Sequence, residues 1–321
     1  MSLFIPLDNY EKFDKSLPLQ WLWYYEYHST YEIHAHAVKD VIVRYRSKYQ
    51  QIDIIDTFNS GKILVLNSEP QSAQVDEYIY HETLVHPAMI LHPEPKNVLI
   101  VGGGEGATLR EVLKYKSVEK VVMVDIDEEL HKIALEHLKE WHQNSFQNPK
   151  VKLVFDDIKN YVKVCKEKFD VIISDLNEPT GSTPAFKIYT DSFLEAIKSI
   201  TNPEAIFVMQ ASDMKDLLFW DYRKDEDVPL LRDYVDMFSK YFVGVKIFHT
   251  FIPSFYSDWA FLLASKQPIP TLTPQEIEKR IKERIVGELR YYDSETHNLL
   301  FSLPKYVRDI LIPRMGVSNE G

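Results

Sequence analysis

A single cysteine, Cys165, excludes an internal disulfide and any multi-cysteine zinc site. The chain also lacks an apolar run of about 18 residues and a charged-then-apolar leader, so neither a membrane span nor a secretory signal is expected and a cytoplasmic location is the default. Positive charge is in deficit. Lys and Arg number 37 against 48 Asp and Glu, and the net charge of -11 disfavours a nucleic-acid backbone while favouring a cationic partner. Repeats and low-complexity segments are missing too. What remains is an ordinary globular composition, 45% apolar and 26% charged over 321 residues, a length that suggests roughly two domains.

Glycine is scarce, and its distribution is therefore informative. Of ten glycines, four fall within the five positions 102–106. They follow the unbroken apolar run Val98 to Val101 and precede helix-forming residues, which is how a buried parallel strand passes through a tight turn into a helix. Gly102, Gly104 and Gly106 keep a G-x-G-x-G spacing, so the backbone is expected to need positive φ or close approach of a ligand. A second apolar strand, Val121 to Asp125, ends in a carboxylate roughly 20 residues on, where a doubly wound fold holds a ribose.

Residues 1–75 read as a small antiparallel β domain and 76–321 as a Rossmann-like catalytic domain. In the first, Val41, Val43 and Tyr45 alternate with Ile42, Arg44 and Arg46, and Asn59-Ser-Gly61 separates Ile52 and Ile54 from the run Lys62 to Leu66 as a hairpin turn does. The aromatic stretch Trp21 to Tyr27 reads as a packed edge, with Glu26 a carboxylate in surroundings that suit an organic cation. Residues 76–92 are expected to form a helix carrying Tyr80, His81 and His86. The two histidines are five positions apart, about 140° round a helix, so they do not make the His-Glu-x-x-His metal motif. His81 is taken as a hydrogen-bonding residue facing either core or cleft.

From Asn97 onward β and α alternate. Expected helices cover Glu105 to Lys116, Asp127 to Trp141, Asp191 to Ser199 and Pro229 to Tyr241, and Thr273-Pro-Gln-Glu276 starts another with a capping box. Strands are expected at Val151 to Phe155, Asp170 to Ser174, Ala205 to Gln210, Val243 to His249 and Trp259 to Ala264. Ligands in such sheets bind at the carboxyl ends of strands, so Asp125, Asp157 and Asp175 are expected to converge on one crevice beside the glycine turn. Three acids exceed what a ribose needs. The loop Ser174 to Gly181 adds Glu178, three positions from Asp175. Such a pair either binds an ammonium group and removes its proton or is a solvated acidic loop, and the strand-end position favours the first.

Several stretches together carry a resemblance. Ser47-Lys-Tyr-Gln50, Asp76-Glu-Tyr-Ile-Tyr-His-Glu82, Gly102-Gly-Gly-Glu-Gly106 with Leu109-Arg-Glu-Val112, Val124-Asp-Ile-Asp127, Ser174-Asp-Leu-Asn-Glu-Pro179 and Ile252-Pro-Ser-Phe255 resemble the spermidine synthase, or polyamine aminopropyltransferase, family. The similarity runs in order from Ser47 to the C-terminus. The glycine motif, Asp-Leu-x-x-Pro and Trp259 resemble the thermospermine synthase and triamine or agmatine aminopropyltransferase branches more than animal spermidine synthases.

The resemblance implies transfer of an aminopropyl group from decarboxylated S-adenosylmethionine to an amine, with methylthioadenosine released. It implies a metal-free and cofactor-free enzyme, an N-terminal β domain on a Rossmann-like methyltransferase-type domain, and a homodimer or homotetramer. By position, Gln50, His81 and Glu105 would hold the aminopropyl and methionine-derived end of the donor, and Asp125 the ribose hydroxyls. Asp157 and the backbone of Ile158 would take the adenine amino group. Asp175 matches the catalytic aspartate, Tyr80 would orient the attacking nitrogen, and Glu178 would grip the amine. Two departures bear on the acceptor: Glu178 is one methylene longer than the aspartate of many spermidine synthases, and Phe255 replaces a tyrosine found in some members.

The chemistry stands beside the resemblance. An alkylammonium has no lone pair and must lose a proton before it attacks, so a carboxylate base is required, while a sulfonium needs little further activation as a leaving group. An acid-lined cavity repels the carboxylate of ordinary S-adenosylmethionine and accepts the ammonium of the decarboxylated form. A methyltransferase would share the glycine turn and Asp125 while using the intact donor. A silent nucleoside-binding protein would keep the glycines without needing Asp175.

Overall fold

The computed structural model describes residues 22–29, 32–177, 188–218 and 229–315. Glu178 lies outside them, as does Trp21. The described residues open with five antiparallel strands, β1 (Leu22–Ser29), β2 (Glu32–Arg46), β3 (Gln51–Thr57), β4 (Gly61–Leu66) and β5 (Glu69–Ala73), paired in that order. The hairpin expected at Asn59-Ser-Gly61 joins β3 to β4, with Gly61 at φ 66° where a side chain would collide with Gln74. β1 forms the edge, and Leu22, Trp23, Tyr25 and Tyr27 are exposed on it while Glu26 turns inward to His36 at 3.2 Å. The carboxylate noted for an organic cation is thus engaged by an imidazole.

Helix α1 (Glu77–Leu91) follows and is buried on nearly every side, with Pro87 inside it. Then come β6 (Asn97–Gly102), α2 (Ala107–Leu113), β7 (Lys120–Asp125), α3 (Glu128–His137), β8 (Val151–Phe155), β9 (Phe169–Asp175), β10 (Thr201–Asp213), β11 (Gly244–Ile252) and β12 (Ser257–Ser265). These strands build a mixed seven-stranded sheet in the order β11-β12-β10-β9-β6-β7-β8. β10, β9, β6, β7 and β8 run parallel, and β12 pairs antiparallel with both β10 and β11. The fold is α/β, with helices on both faces of the sheet.

The apolar run of β6 explains its central place. Alternate side chains of a strand point to opposite faces. Accordingly Leu99 and Val101 join one core with Phe207 and Leu231, whereas Val98 and Ile100 join the other with Leu84 and Met89 of α1. A third cluster ties the N-terminal sheet to this unit: Ile52, Ile54, Leu64 and Leu66 pack on Ala107, Leu130 and Trp141. Trp141 also donates its ring N–H to Ser72 Oγ at 3.0 Å.

Several expected elements differ in extent, three of them for a visible local reason or by the most residues. The helix read over 127–141 breaks at Leu138, where φ -118° and ψ 43° leave the helical region, and it resumes only as Lys139–His142. The helix expected from Glu105 starts at Ala107, because Gly102, Gly103 and Gly106 all have positive φ and the N–H of Gly106 closes a turn on the carbonyl of Gly103 at 2.9 Å. The strand read over 205–210 extends to Thr201–Asp213. The capping box at Thr273 and Glu276 is formed. Among the described residues no helix is long and apolar enough to cross a membrane.

Candidate active site

Parallel pairing sets the site. β6 is flanked by β7 and β9, so the glycine turn that follows β6 has Asp125 on one side and Asp175 on the other. Gly102 pairs with Asp175 and approaches it so closely that a Cβ there would sit 2.2 Å from the Asp175 carbonyl oxygen. A Cβ on Gly104 would meet Leu130 at 2.7 Å and Asp125 Oδ2 at 3.0 Å. The spacing of glycines read from the sequence is therefore a spacing of close approaches.

Asp175 is half-buried with both oxygens engaged. Tyr80 donates to Oδ1 at 2.9 Å and Thr108, on the first turn of α2, donates to Oδ2 at 2.6 Å. Burial and the nearby charge of Glu105 push its carboxyl up to about 6, while His81, Thr108 and Tyr80 pull the other way. Burial, reinforced by Asp175, lifts the Tyr80 phenol well above its usual range, so it stays a donor. Leu176, the next residue, has its carbonyl held by Gln210 Nε2 at 2.7 Å, and Gln210 Oε1 in turn accepts from the Trp259 ring at 3.2 Å.

Asp125 accepts the backbone N–H of Asp127 at 2.8 Å. Burial lifts its carboxyl to about 7 against that hydrogen bond, with the charges of Asp127, Glu105 and Asp175 adding to the rise. Gln50 arrives from the loop after β2, donating to Asp127 Oδ2 at 3.0 Å beside Ser47, which donates to the same oxygen at 2.7 Å. Asp127 also caps α3. One aspartate thus fastens the N-terminal sheet to the start of a helix below the cleft.

His81 stands behind the wall, fully buried. Its Nε2 faces Glu105 Oε1 at 3.0 Å and its Nδ1 faces Glu77 Oε2 at 2.9 Å and the Glu77 carbonyl at 2.6 Å. Burial works against a charged ring, but the hydrogen bonds and charges of Glu105 and Glu77 outweigh it and raise His81 to about 10. His86 faces elsewhere, toward Glu111 at 3.1 Å and Tyr115 at 3.0 Å, so the two histidines do not converge.

One cleft, with an empty volume of about 590 Å³, is lined by Gln50, Tyr80, Gly102, Gly104, Glu105, Asp125 and Asp175 among others. Asp157, Ile158 and Phe255 do not line it. Asp157 sits past the end of β8 and caps the following helix by accepting from Lys159 N at 2.8 Å, with Ile158 buried beside it. Phe255 packs edge-on behind Tyr80 with ring centres 6.0 Å apart and against Trp259 at 5.2 Å. Thr108, Asp127, Glu77 and Arg110 were not singled out from the sequence. For Glu77 a signal existed, four positions before His81 on one helical face. For Thr108 there was none, since a threonine in a helix start reads as filler.

Atoms of His81, Glu105 and Asp175 lie within 4.8 Å of one another, close enough for a metal ion. Both nitrogens of His81 nevertheless already face carboxylates, and a ring that keeps its proton is no metal ligand. Three carboxylates around a protonated histidine suit an organic cation, which brings its own N–H donors.

A family model described as "Spermine/spermidine synthase domain" matches residues 77–274, and one described as "Spermidine synthase tetramerisation domain" matches residues 22–74. The chain belongs to the spermidine synthase family. It is a polyamine aminopropyltransferase, an enzyme of polyamine biosynthesis. The polyamine aminopropyltransferase of Sulfolobus acidocaldarius is 40% identical over 302 residues, covering 94% of this chain and 97% of that one. The Aeropyrum pernix enzyme of the same name is also 40% identical, covering 93% of each. Among solved structures, spermidine synthase from Thermotoga maritima aligns with a TM-score of 0.79 at 31% identity, over 95% of this aminopropyltransferase and 99% of that chain. A spermidine synthase bound to the transition-state analogue AdoDATO aligns with a TM-score of 0.81, also at 31% identity, over 94% and 99%.

Proposed function

We propose that the enzyme transfers the aminopropyl group of decarboxylated S-adenosylmethionine to a primary or secondary amine, with Asp175 as general base. The observation that carries this is the state of Asp175: half-buried at the glycine turn, fixed by Tyr80 and Thr108, with its carboxyl raised to about 6. A base works best when its pKa lies near the working pH, and an ordinary aspartate lies too low.

In this reading the donor lies across the glycine turn. Asp125 takes the ribose hydroxyls, and Asp157 with the backbone of Ile158 takes the adenine amino group one strand farther out. Glu105, backed by His81, faces the ammonium of the aminopropyl arm, with Gln50 at the same end. The acceptor nitrogen gives its proton to Asp175 while Tyr80 orients it. Its freed lone pair attacks the carbon beside the sulfonium, the C–S bond breaks, and the electron pair goes to sulfur as methylthioadenosine departs. Phe255 lies on the acceptor side through its contact with Tyr80, and Glu178 grips the distal ammonium. No metal or further cofactor takes part.

The same reading divides the chain near residue 75 into an N-terminal β domain and a Rossmann-like catalytic domain. It also makes the enzyme a homodimer or homotetramer. The match of residues 22–74 to a tetramerisation domain supports this, as do the exposed Leu22, Trp23, Tyr25 and Tyr27 on the edge strand β1.

The test is product analysis with decarboxylated and intact S-adenosylmethionine against a panel of putrescine, agmatine, cadaverine, spermidine and spermine. The expected result is an aminopropylated amine plus methylthioadenosine from the decarboxylated donor alone. Methyl transfer from the intact donor without aminopropyl transfer contradicts it.

A further inference from the structure

We propose that Glu77, held by Arg110, is a positioning residue that aims His81 at Glu105 and thereby sets the grip on the aminopropyl arm of the donor. The inference rests on the donor placement above and adds residues that do not touch the donor. Its basis is an alternating row of buried charges running inward from the cleft: Glu105, His81, Glu77, Arg110 and Glu111, all 8% exposed or less. Arg110 meets Glu77 as a fork, Nη1 to Oε1 and Nη2 to Oε2, both at 3.0 Å. The guanidinium is itself locked, donating from Nη1 to the Trp141 carbonyl at 2.7 Å and from Nε to Glu111 Oε1 at 2.7 Å. Beyond it, Glu111 faces His86 at 3.1 Å and Lys114 at 2.7 Å.

A row of this kind is costly to desolvate and is not the way to maximise stability, because well-packed apolar residues of the same volume do as well or better. What it gives is direction. Glu77 is the first residue of α1 and lies one turn before His81, so its carboxylate and its carbonyl both face Nδ1 and leave the ring one orientation, with Nε2–H pointing at Glu105. Arg110 fixes both oxygens of Glu77, so the carboxylate cannot swing away. Glu105 is then anchored from behind at Oε1 while it lines the cleft. The groups facing His81 are Glu77 and Tyr80 from its own helix, Glu105 from the glycine turn and Asp175 from the end of β9.

The experiment compares binding of two nucleosides by calorimetry: decarboxylated S-adenosylmethionine, and methylthioadenosine, which lacks the aminopropyl arm. Glu77→Gln keeps the shape and removes the charge. It is expected to weaken the decarboxylated donor by about tenfold to a hundredfold, the worth of a charged hydrogen bond, and to leave methylthioadenosine within about threefold. Binding of the decarboxylated donor is also expected to be level in the wild type from about pH 7 to 9 and to fall through that range in the variant, as His81 loses its proton. If Glu77→Gln does not fold, the Glu77→Gln/Arg110→Gln pair, which removes both charges, replaces it and carries the same expectation. Equal weakening of both nucleosides, or no weakening of either, overturns the inference and leaves the reaction untouched. A wild-type enzyme that binds neither overturns the inference together with the functional reading beneath it.

Discussion

The hydroxyl of Thr108 stands 2.6 Å from Oδ2 of Asp175, and that of Tyr80 stands 2.9 Å from Oδ1, so both oxygens of one half-buried carboxylate are capped by donors from two different helices. Burial and the Glu105 charge raise the carboxyl, and these two hydroxyls restrain the rise. Removing Thr108's hydroxyl as Thr108→Val keeps the volume and loses one restraint. The acidic limb of kcat/KM is expected to move to higher pH by about one unit, with activity down about twofold at about pH 7 and about tenfold at about pH 5. A pH profile measured for both proteins checks the sign. An unmoved limb contradicts the role given to Thr108.

A second expectation concerns stability. Asp125 and Asp175 have folded carboxyls raised to about 7 and about 6, above their ordinary range. The folded state therefore holds protons that the unfolded chain has released. Their contribution is fully present below the unfolded pKa and is lost as pH rises through the folded values, so the share of stability that these two carboxyls supply to the ligand-free enzyme is lost from about pH 4 to about pH 7. Asp125→Asn keeps the acceptor for the Asp127 N–H and removes the buried charge. Unfolding by urea at about pH 8 is expected to show a gain on the order of 2 kcal/mol, alongside weaker donor binding. A variant less stable than the wild type at that pH contradicts the electrostatic account of the cleft.

Close approach makes a third. Gly102 has φ 80° and its absent Cβ would lie 2.2 Å from the Asp175 carbonyl, whereas Gly287 has φ 90° with nothing within 4 Å. Gly102→Ala meets backbone that cannot yield, and a loss of roughly 2 to 4 kcal/mol is expected together with most of the activity. Gly287→Ala meets only its own strained φ and is expected to lose about 1 kcal/mol. Paired denaturation curves give the comparison; equal losses contradict the reading that the first glycine is there for the carbonyl of Asp175.

The fold was legible because the sheet advertises itself. Val98 to Val101 is apolar on both faces, glycines follow, and a carboxylate ends each of the neighbouring strands. The break at Leu138 was not legible, since no glycine or proline marks it; it follows from seating Trp141 against Ser72 of the N-terminal sheet. Helix α2 begins later than its propensities indicate, and the delay leaves Glu105 on the turn beside His81. In the site, Gly102, Gly104, Asp125 and Asp175 carried signals of spacing and strand position, whereas Gln50, Tyr80 and Glu105 were reached only through the resemblance. Those that hold them, Thr108, Asp127 and Arg110, act across 67, 77 and 33 positions in the chain, and no local pattern connects such partners.

Asp175→Asn tests the central chemistry most directly, because the amide keeps the shape, with one hydroxyl turning to accept from its NH2, while losing the basicity. With decarboxylated S-adenosylmethionine and saturating amine, turnover is expected to fall about a hundredfold to ten-thousandfold while methylthioadenosine still binds. Turnover within about threefold of the wild type, with the same products, would mean that the proton leaves the amine by another route and that Asp175 is not the base.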